Sequence, residues 1–437
     1  MPVSLTSLSA LSDLPFDEVI DVRSPAEYAE DHIPGAINLP VLDNEERARV
    51  GTMYTQVSPF EARKLGAALV ARNAARHIEE SLMDRPRNYR PLVYCWRGGQ
   101  RSGSFTTILR QIGWQAETIE GGYRSYRRLV QEALYQAPWP CPLVVLEGNT
   151  GTAKTDLLPL LSEQGLQVMD LEGLANHRGS LFGAMAGGQP AQKAFETRLA
   201  MAREALRPGE VMVVEGESSK IGEVNLPPKL WEAMKAAPRV VVEAPLQARA
   251  DYLARRYTDL TADAARLEAT LRALSPLHPA ERIEHWLALA AAGEFAELAA
   301  GLMQHHYDPR YSKQHARFAE QPSRTVPLDS LSPGALAEAA PRLAEAVRAL
   351  GGVAVEAPEA LVPWALESLT GLSGVLYWGK PETARAYEKA LAKRPGPIVP
   401  LITARPDIAH ARHERHVCID TTASGGNAAL LAEVAEA

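Results

Sequence analysis

Only three cysteines, Cys95, Cys141 and Cys418, occur in 437 residues. That is too few for a disulfide-stapled secreted scaffold, and a reducing cytoplasm is the expected setting. No apolar run approaches the roughly 18 residues that a membrane helix needs. The start, Met1-Pro2-Val3-Ser4, lacks the basic region and apolar core of a secretory signal. Internal repeats and low-complexity tracts are missing as well. Positive charge is not in excess: the net charge is −7. This argues against a general nucleic-acid coat but leaves room for a local basic surface. What remains is a soluble globular composition, 46% hydrophobic and 23% charged, long enough for two or three domains.

Short β-branched runs alternate with helical stretches, which indicates an α/β fold with parallel sheets. A first domain is expected over 1–137. Val19-Ile20-Asp21-Val22-Arg23 reads as a buried strand. Ser24-Pro25-Ala26-Glu27 then reads as a capping box with proline at the first helical position. A turn and strand over 32–39, a long helical insertion over 45–90, a strand at 91–94 and a helix over 102–112 follow. A second domain is expected over 138–350, with strands near 141–147, 167–171, 211–215 and 239–243. Its helix over 154–164 ends at Gly165, a left-handed cap. Residues 246–304 carry Ala, Leu, Glu and Arg at helical spacing. A strand at Thr325 and a last helix near 333–350 complete the domain. Gly351-Gly352 marks a boundary before a C-terminal appendage, 351–437.

Two loops carry chemistry. In Val93-Tyr94-Cys95-Trp96-Arg97-Gly98-Gly99-Gln100-Arg101-Ser102 a cysteine opens a loop between strand and helix. Backbone N–H groups freed by Gly98 and Gly99, the helix dipole, and Arg97 or Arg101 lower a thiol's pKa there. The same cup binds a tetrahedral oxyanion, so Cys95 can attack a sulfur- or selenium-bearing anion and keep the atom. The competing reading is a buried strand-end cysteine. The spacing Cys95-x5-Arg101 also fits tyrosine phosphatases, although Tyr94 stands where those carry histidine.

The second loop, Gly148-Asn149-Thr150-Gly151-Thr152-Ala153-Lys154-Thr155, nearly fits the P-loop pattern, with a strand before it and a helix after it. Backbone N–H groups and Lys154 would hold a diphosphate, of a nucleotide or of another ester, and Thr155 could take magnesium. Ala153 departs from the pattern, which has glycine there. Val211-Met212-Val213-Val214-Glu215-Gly216-Glu217 could serve as a Walker B strand, or be a core strand with a solvated acidic end.

Asp21-Val22-Arg23-Ser24-Pro25-Ala26-Glu27-Tyr28, His32-Ile33-Pro34-Gly35-Ala36, Tyr94-Cys95 and Gly121-Gly122-Tyr123-Arg124 together resemble a rhodanese domain. The likeness implies that Cys95 carries sulfur or selenium and that Asp21 and Arg23 support the site. A rhodanese domain followed by a P-loop domain resembles the tRNA 2-selenouridine synthase family. So do Asp170–Ser180, Gln189–Glu196, Val214–Gly222 and Tyr307-Asp308-Pro309-Arg310-Tyr311. This resemblance implies a transferase acting on wobble 2-thiouridine in the tRNA anticodon loop, whose bases can be splayed out. Geranyl diphosphate would alkylate the sulfur, and selenium from selenophosphate would then replace it. No resident cofactor or metal site is firmly implied; magnesium and an enzyme supplying selenophosphate are both compatible. His177, Arg178, Glu215, Glu217 and Arg124 are the candidate contacts to substrate or tRNA. The alternatives are a plain rhodanese sulfurtransferase with a separate regulatory or kinase P-loop domain, and a rhodanese-like scaffold. The scaffold is disfavoured by the intact Cys95 loop. Near the C-terminus, Gly396–Leu401 and Glu414–Asn427 weakly resemble the tail of the aldehyde dehydrogenase superfamily. Without a nucleotide-binding half or a catalytic motif, no dehydrogenase activity is expected.

Overall fold

A computed structural model describes residues 2–11, 13–311, 318, 320–351, 361–369, 372, 374–396 and 398–404. The chain falls into two compact bodies, Met1–Val353 and Ala354–Ala437.

The first body opens with β1 (Glu18–Asp21), α1 (Pro25–Glu30), β2 (Ile37–Asn38), α2 (Asn44–Gln56), α3 (Pro59–His77), β3 (Pro91–Tyr94), α4 (Gln100–Ile112), β4 (Glu117–Thr118) and α5 (Tyr123–Gln131). The four strands form a parallel sheet in the order β2-β1-β3-β4. All four residues of β3 are buried, as expected of an apolar run covered on both faces. The chain runs from β1 outward to β2 and returns to β3 on the other side, so a crevice opens where the connections diverge, at the carboxyl ends of β1 and β3. The expected insertion over 45–90 is two helices: Asp43 and Ser58 each cap a new helix by accepting backbone N–H bonds.

The second sheet is built from β5 (Leu143–Glu147), α6 (Lys154–Glu163), β6 (Gln167–Met169), α7 (Leu171–Ala175), α8 (Gln192–Glu204), β7 (Met212–Glu215), β8 (Lys220–Ile221), β9 (Val224–Asn225), α9 (Pro228–Ala236) and β10 (Arg239–Glu243). A helical section follows: α10 (Leu246–Arg256), α11 (Thr258–Thr261), α12 (Ala264–Arg272), α13 (Ala280–Ala292) and α14 (Phe295–Leu302), before β11 (Ser323–Pro327) and a helix over Pro333–Leu350. Strand order is β11-β10-β5-β7-β6, all parallel. The fully buried β5 sits centrally, with β7 and β10 beside it, which leaves its carboxyl end open for a ligand. The helical section breaks where the sequence supplies stops. Asp263 caps α12, and Gly293 takes φ +75° at the end of α13.

The two sheets share one apolar core. Leu92, Tyr94, Ile119, Tyr123 and Tyr126 pack in the same cluster as Phe195, Leu199, Val145 and Met212. Polar groups cross the same junction. Asp31, 2% exposed, accepts from Tyr123 Oη at 2.7 Å and from Thr197 Oγ1 at 2.9 Å. Arg127 pairs with buried Glu196, which also accepts from Tyr135 Oη at 2.7 Å. Burial of that kind is tolerable only because each charge is partnered.

The second body holds a two-stranded parallel sheet, Val375–Leu376 with Leu401–Ile402, under the helix Pro381–Leu391. Cys418 and the whole dehydrogenase-like stretch Glu414–Asn427 lie outside the described residues.

Candidate active site

Cys95 follows β3 directly, at the crevice of the first sheet. It is 3% exposed, and its Sγ accepts from Ser102 Oγ at 3.2 Å. Burial pushes the thiol's pKa up. Bonds from the Ser102 hydroxyl and N–H, the Arg101 charge and the Arg97 N–H more than offset this, so the thiol ionises below its ordinary range. The Gly121-Gly122 turn props the loop from behind: Tyr123 N–H donates to Cys95 O at 2.8 Å, and Arg124 N–H to Trp96 O at 3.1 Å. Gly98 and Gly122 have φ of +67° and +59°. A Cβ on Gly122 would stand 2.2 Å from Cys95 O and 2.5 Å from Gly98 N. Gly122→Ala is therefore expected to displace the cysteine loop. Cys95 alkylation should slow at least tenfold while the P-loop domain keeps its diphosphate affinity, read by peptide mass spectrometry and titration calorimetry.

Arg101 is held by a partner the sequence did not suggest. Its Nη1 donates to Glu27 Oε2 at 2.9 Å. Glu27 also accepts from the N–H and hydroxyl of Ser24, so the capping box of α1 orients the arginine of the cysteine loop. Arg23, buried, grips Asp21 with Nη2 at 2.6 Å from Oδ2 and stacks over Tyr123 at 4.0 Å. It supports the crevice from below. Arg97, Arg124 and Arg128 are exposed on the loop and on α5 next to it.

The phosphate loop wraps the start of α6. Gly148 takes φ +158° and Gly151 +84°, while Ala153, the residue that departs from the P-loop pattern, takes the left-handed φ of +60° as the N-cap of α6. Glycine adopts that conformation without cost and alanine does not. Lys154 Nζ donates to Gly148 O at 2.9 Å. Thr155 Oγ1 donates to Glu172 Oε2 at 3.0 Å.

Around the loop lies a cavity of about 420 Å³ lined by residues 150–155, Glu172, Arg178, Glu215, Glu217, Tyr257 and Arg310, among others. Glu215 stands at the carboxyl end of β7, where a Walker B acid is expected. Its Oε1 accepts from Glu172 N at 2.6 Å, and its buried Oε2 has no partner. Burial, then the Asp170 and Glu172 charges, raise its pKa well above the carboxylate range. Burial and Glu172, opposed by Lys154, push Glu217 up to about 8. Burial likewise raises Glu172. Glu215 and Glu217 are thereby held toward their protonated forms, which removes much of the repulsion an anion would meet. Among the described residues no group of three or more His, Cys, Asp or Glu is arranged to hold a metal ion.

A second, apolar cleft opens from this cavity. Phe182, Leu253, Leu260, Phe295, Leu298 and Met303 line it, and Thr150, Ser180, Leu253, Tyr257 and Tyr307 belong to both spaces. Of the residues singled out in the sequence, Arg178 lines the phosphate cavity but pairs with Asp259 at 2.9 Å and lies over Tyr257. His177 is not among the residues lining either space; buried, it accepts Gly179 N–H at its Nδ1 within its own loop. Asn149 lines a separate cavity on the β10 and β11 side of the loop. Ser102, Glu27, Glu172 and Arg310 each lie in a motif quoted from the sequence but were not named as site residues. Ser102 at the first turn of the helix after the cysteine carried a usable signal; Glu172 and Arg310 reach the loop only through tertiary structure.

Comparison with known sequences gives a consistent result. A profile described as tRNA 2-selenouridine synthase AAA domain matches residues 141–275, and a Rhodanese-like domain profile matches residues 4–129. A protein of Pseudomonas syringae pv. tomato is 35% identical over 333 residues, covering 70% of this chain and 89% of the relative. One of Pseudomonas putida is 34% identical over 341 residues, covering 71% and 90%. One of Aeromonas salmonicida is 39% identical over 250 residues, covering 56% and 66%. Each of the three is called tRNA 2-selenouridine synthase.

Proposed function

The chain belongs to the tRNA 2-selenouridine synthase family, and on that premise we propose that it converts wobble 2-thiouridine in tRNA to 2-selenouridine by way of an S-geranyl intermediate. The observation that carries the two-step reading is the apolar cleft joined to the phosphate cavity. A nucleotide does not need an apolar extension beyond its phosphates; a prenyl diphosphate does. The diphosphate lies against the loop N–H groups and Lys154, and the geranyl chain runs between Leu253, Phe295 and Leu298.

In the first step the thiocarbonyl sulfur attacks the allylic carbon. The C–S bond forms, the C–O bond breaks, diphosphate leaves, and the base gives up its N3 proton. In the second step selenium bonds to C2 and geranylthiol departs, while the phosphoryl group of selenophosphate passes to water. Alkylation makes the sulfur a far better leaving group, which is the physical reason for two steps. The Cys95 loop, with its N–H groups and Arg101, is the site for the selenophosphate anion. The exposed Arg97, Arg124 and Arg128 beside it contact tRNA phosphates. No described helix is long and apolar enough to cross a membrane.

The test is nucleoside mass spectrometry of 2-thiouridine-containing tRNA incubated with the protein, geranyl diphosphate and selenophosphate. Geranylthiouridine followed by selenouridine is the expected result. Unchanged tRNA with intact transfer of sulfur from thiosulfate to cyanide would overturn the reading in favour of a plain sulfurtransferase.

A further inference from the structure

We propose that Arg310 is the second cation of the diphosphate site, positioned by a pair of imidazoles that orient its charge without neutralising it. This rests on the diphosphate reading of the phosphate loop. Three arginines line the cavity: Arg178, Arg256 and Arg310. Two of them are spoken for. Arg178 Nη2 lies 2.9 Å from Asp259 Oδ1, and Arg256 Nε lies 3.5 Å from Asp156 Oδ1. Arg310 has no carboxylate partner among the described residues; its Nη1 meets His306 Nε2 at 3.0 Å.

The protons in this chain follow by elimination. A guanidinium only donates, so His306 Nε2 accepts, and the His306 proton sits on Nδ1. From there it is donated to His278 Nε2, 2.9 Å away. His306 is 4% exposed. Burial, then the Arg310 charge and His278, lower its pKa to about 4, so it is neutral and an acceptor at any working pH. Its ring is fixed edge-on to Tyr307 at 4.8 Å, and His278 likewise to Trp286 at 4.9 Å. His306 and Tyr307 lie in a π-turn, Met303–Tyr307, which continues α14. Such a wide turn re-aims side chains and is frequent at functional sites.

A neutral acceptor fixes a guanidinium's direction and leaves its charge available to an incoming anion. Lys154 in the same cavity is placed alike: among the described residues its hydrogen bond is to a backbone carbonyl. The acids nearby, Glu215 and Glu217, are held toward their neutral forms. An anion in the cavity therefore faces two cations that, among the described residues, are hydrogen-bonded to neutral acceptors and not to carboxylates. Negative charge grows on the diphosphate as its bond to the allylic carbon breaks, and preorganised donors are worth most against charge that develops late. Arg310 is thus a catalytic residue for the geranyl step, and His306 a positioning residue.

The experiment is titration calorimetry of the full chain with inorganic pyrophosphate, alongside kcat and KM for geranyl transfer and melting temperatures. Arg310→Ala should weaken pyrophosphate at least tenfold and lower kcat more than it raises KM. His306→Gln, which keeps an acceptor near the Nε2 position, should stay close to the unaltered protein. His306→Phe should reproduce much of the Arg310→Ala loss at an unchanged melting temperature. Normal pyrophosphate affinity and kcat in Arg310→Ala, in a protein whose Lys154→Ala variant loses both, would sink the Arg310 assignment and leave the diphosphate site standing. Equal losses in His306→Gln and His306→Phe, with lowered melting temperatures, would overturn the relay. Failure of the unaltered protein to bind pyrophosphate or geranyl diphosphate would overturn both readings.

Discussion

Cys95→Ser will abolish selenium incorporation, by about 10³-fold or more, and leave the geranylated nucleoside to accumulate. Serine keeps the size of the side chain and a bond with Ser102, so the loop and its Gly122 prop should survive. What is lost is ionisation, since an alkoxide is not accessible at the pH where this thiolate forms. The thiol's pKa is lowered by Ser102, Arg101 and the Arg97 N–H against the opposing effect of burial. Two consequences can be measured. The rate of Cys95 carboxymethylation against pH, followed by peptide mass spectrometry, should have its midpoint below that of a free thiol. Ser102→Ala should move the midpoint upward, because it removes the largest of the lowering contacts. The sign of the linkage is fixed: a depressed folded-state pKa stabilises the protein above the unfolded thiol's pKa, and that gain is lost as pH falls through the folded value. Cys141 is the internal control. It is buried, its thiol donates to Arg207 O at 3.3 Å, and burial raises its pKa, so it should stay unmodified. Selenouridine formed at the unaltered rate by Cys95→Ser would refute the assignment.

The cysteine loop and the phosphate loop were legible because each is a local motif. Gly-Gly beside a cysteine, or an eight-residue anion cradle between an apolar strand and a helix, states its backbone needs within a dozen residues. Buried parallel strands such as those over 143–146 and 211–214 announce themselves by unbroken apolar runs. The partners that complete each site were not legible, because they arrive by tertiary pairing. Glu27 reaches Arg101 across 74 positions and Glu172 reaches Thr155 across 17. The common core of the two sheets was equally hidden: Phe195 and Leu199 carry only the helical period of α8, which says that a face is buried but not against what. Tyr307-Asp308-Pro309-Arg310-Tyr311 stood out as a motif, yet its chemistry needs the neighbouring His306 and the distant His278. Ala153 is the instructive departure. It looks like damage to the phosphate loop, yet the backbone keeps the left-handed turn a glycine would have taken, so the N–H groups of the cradle retain their direction at the cost of some strain.

Lys154→Ala is the complementary loss. Geranyl transfer should fall by about 10²–10³-fold, the range seen when one preorganised donor to a developing anion is removed, while selenation of tRNA supplied already geranylated proceeds. The ammonium is held on Gly148 O, a neutral acceptor that it can exchange for a phosphate oxygen. The acids around it set the pH window. Glu217 is neutral below about 8 and charged above, because burial and the Glu172 charge outweigh the attraction of Lys154. As pH rises through that value a carboxylate appears beside the diphosphate and repels it. Pyrophosphate affinity should therefore decline on the alkaline side, and Glu217→Gln should flatten the decline, as measured by calorimetry between pH 6.5 and 9. Paired with Cys95→Ser, the lysine variant separates the two halves of the reaction: one variant should accumulate geranylthiouridine, and the other should stop at 2-thiouridine. If both variants stopped at 2-thiouridine, the cysteine loop would be needed for alkylation too, and the assignment of one step to each loop would have to be abandoned.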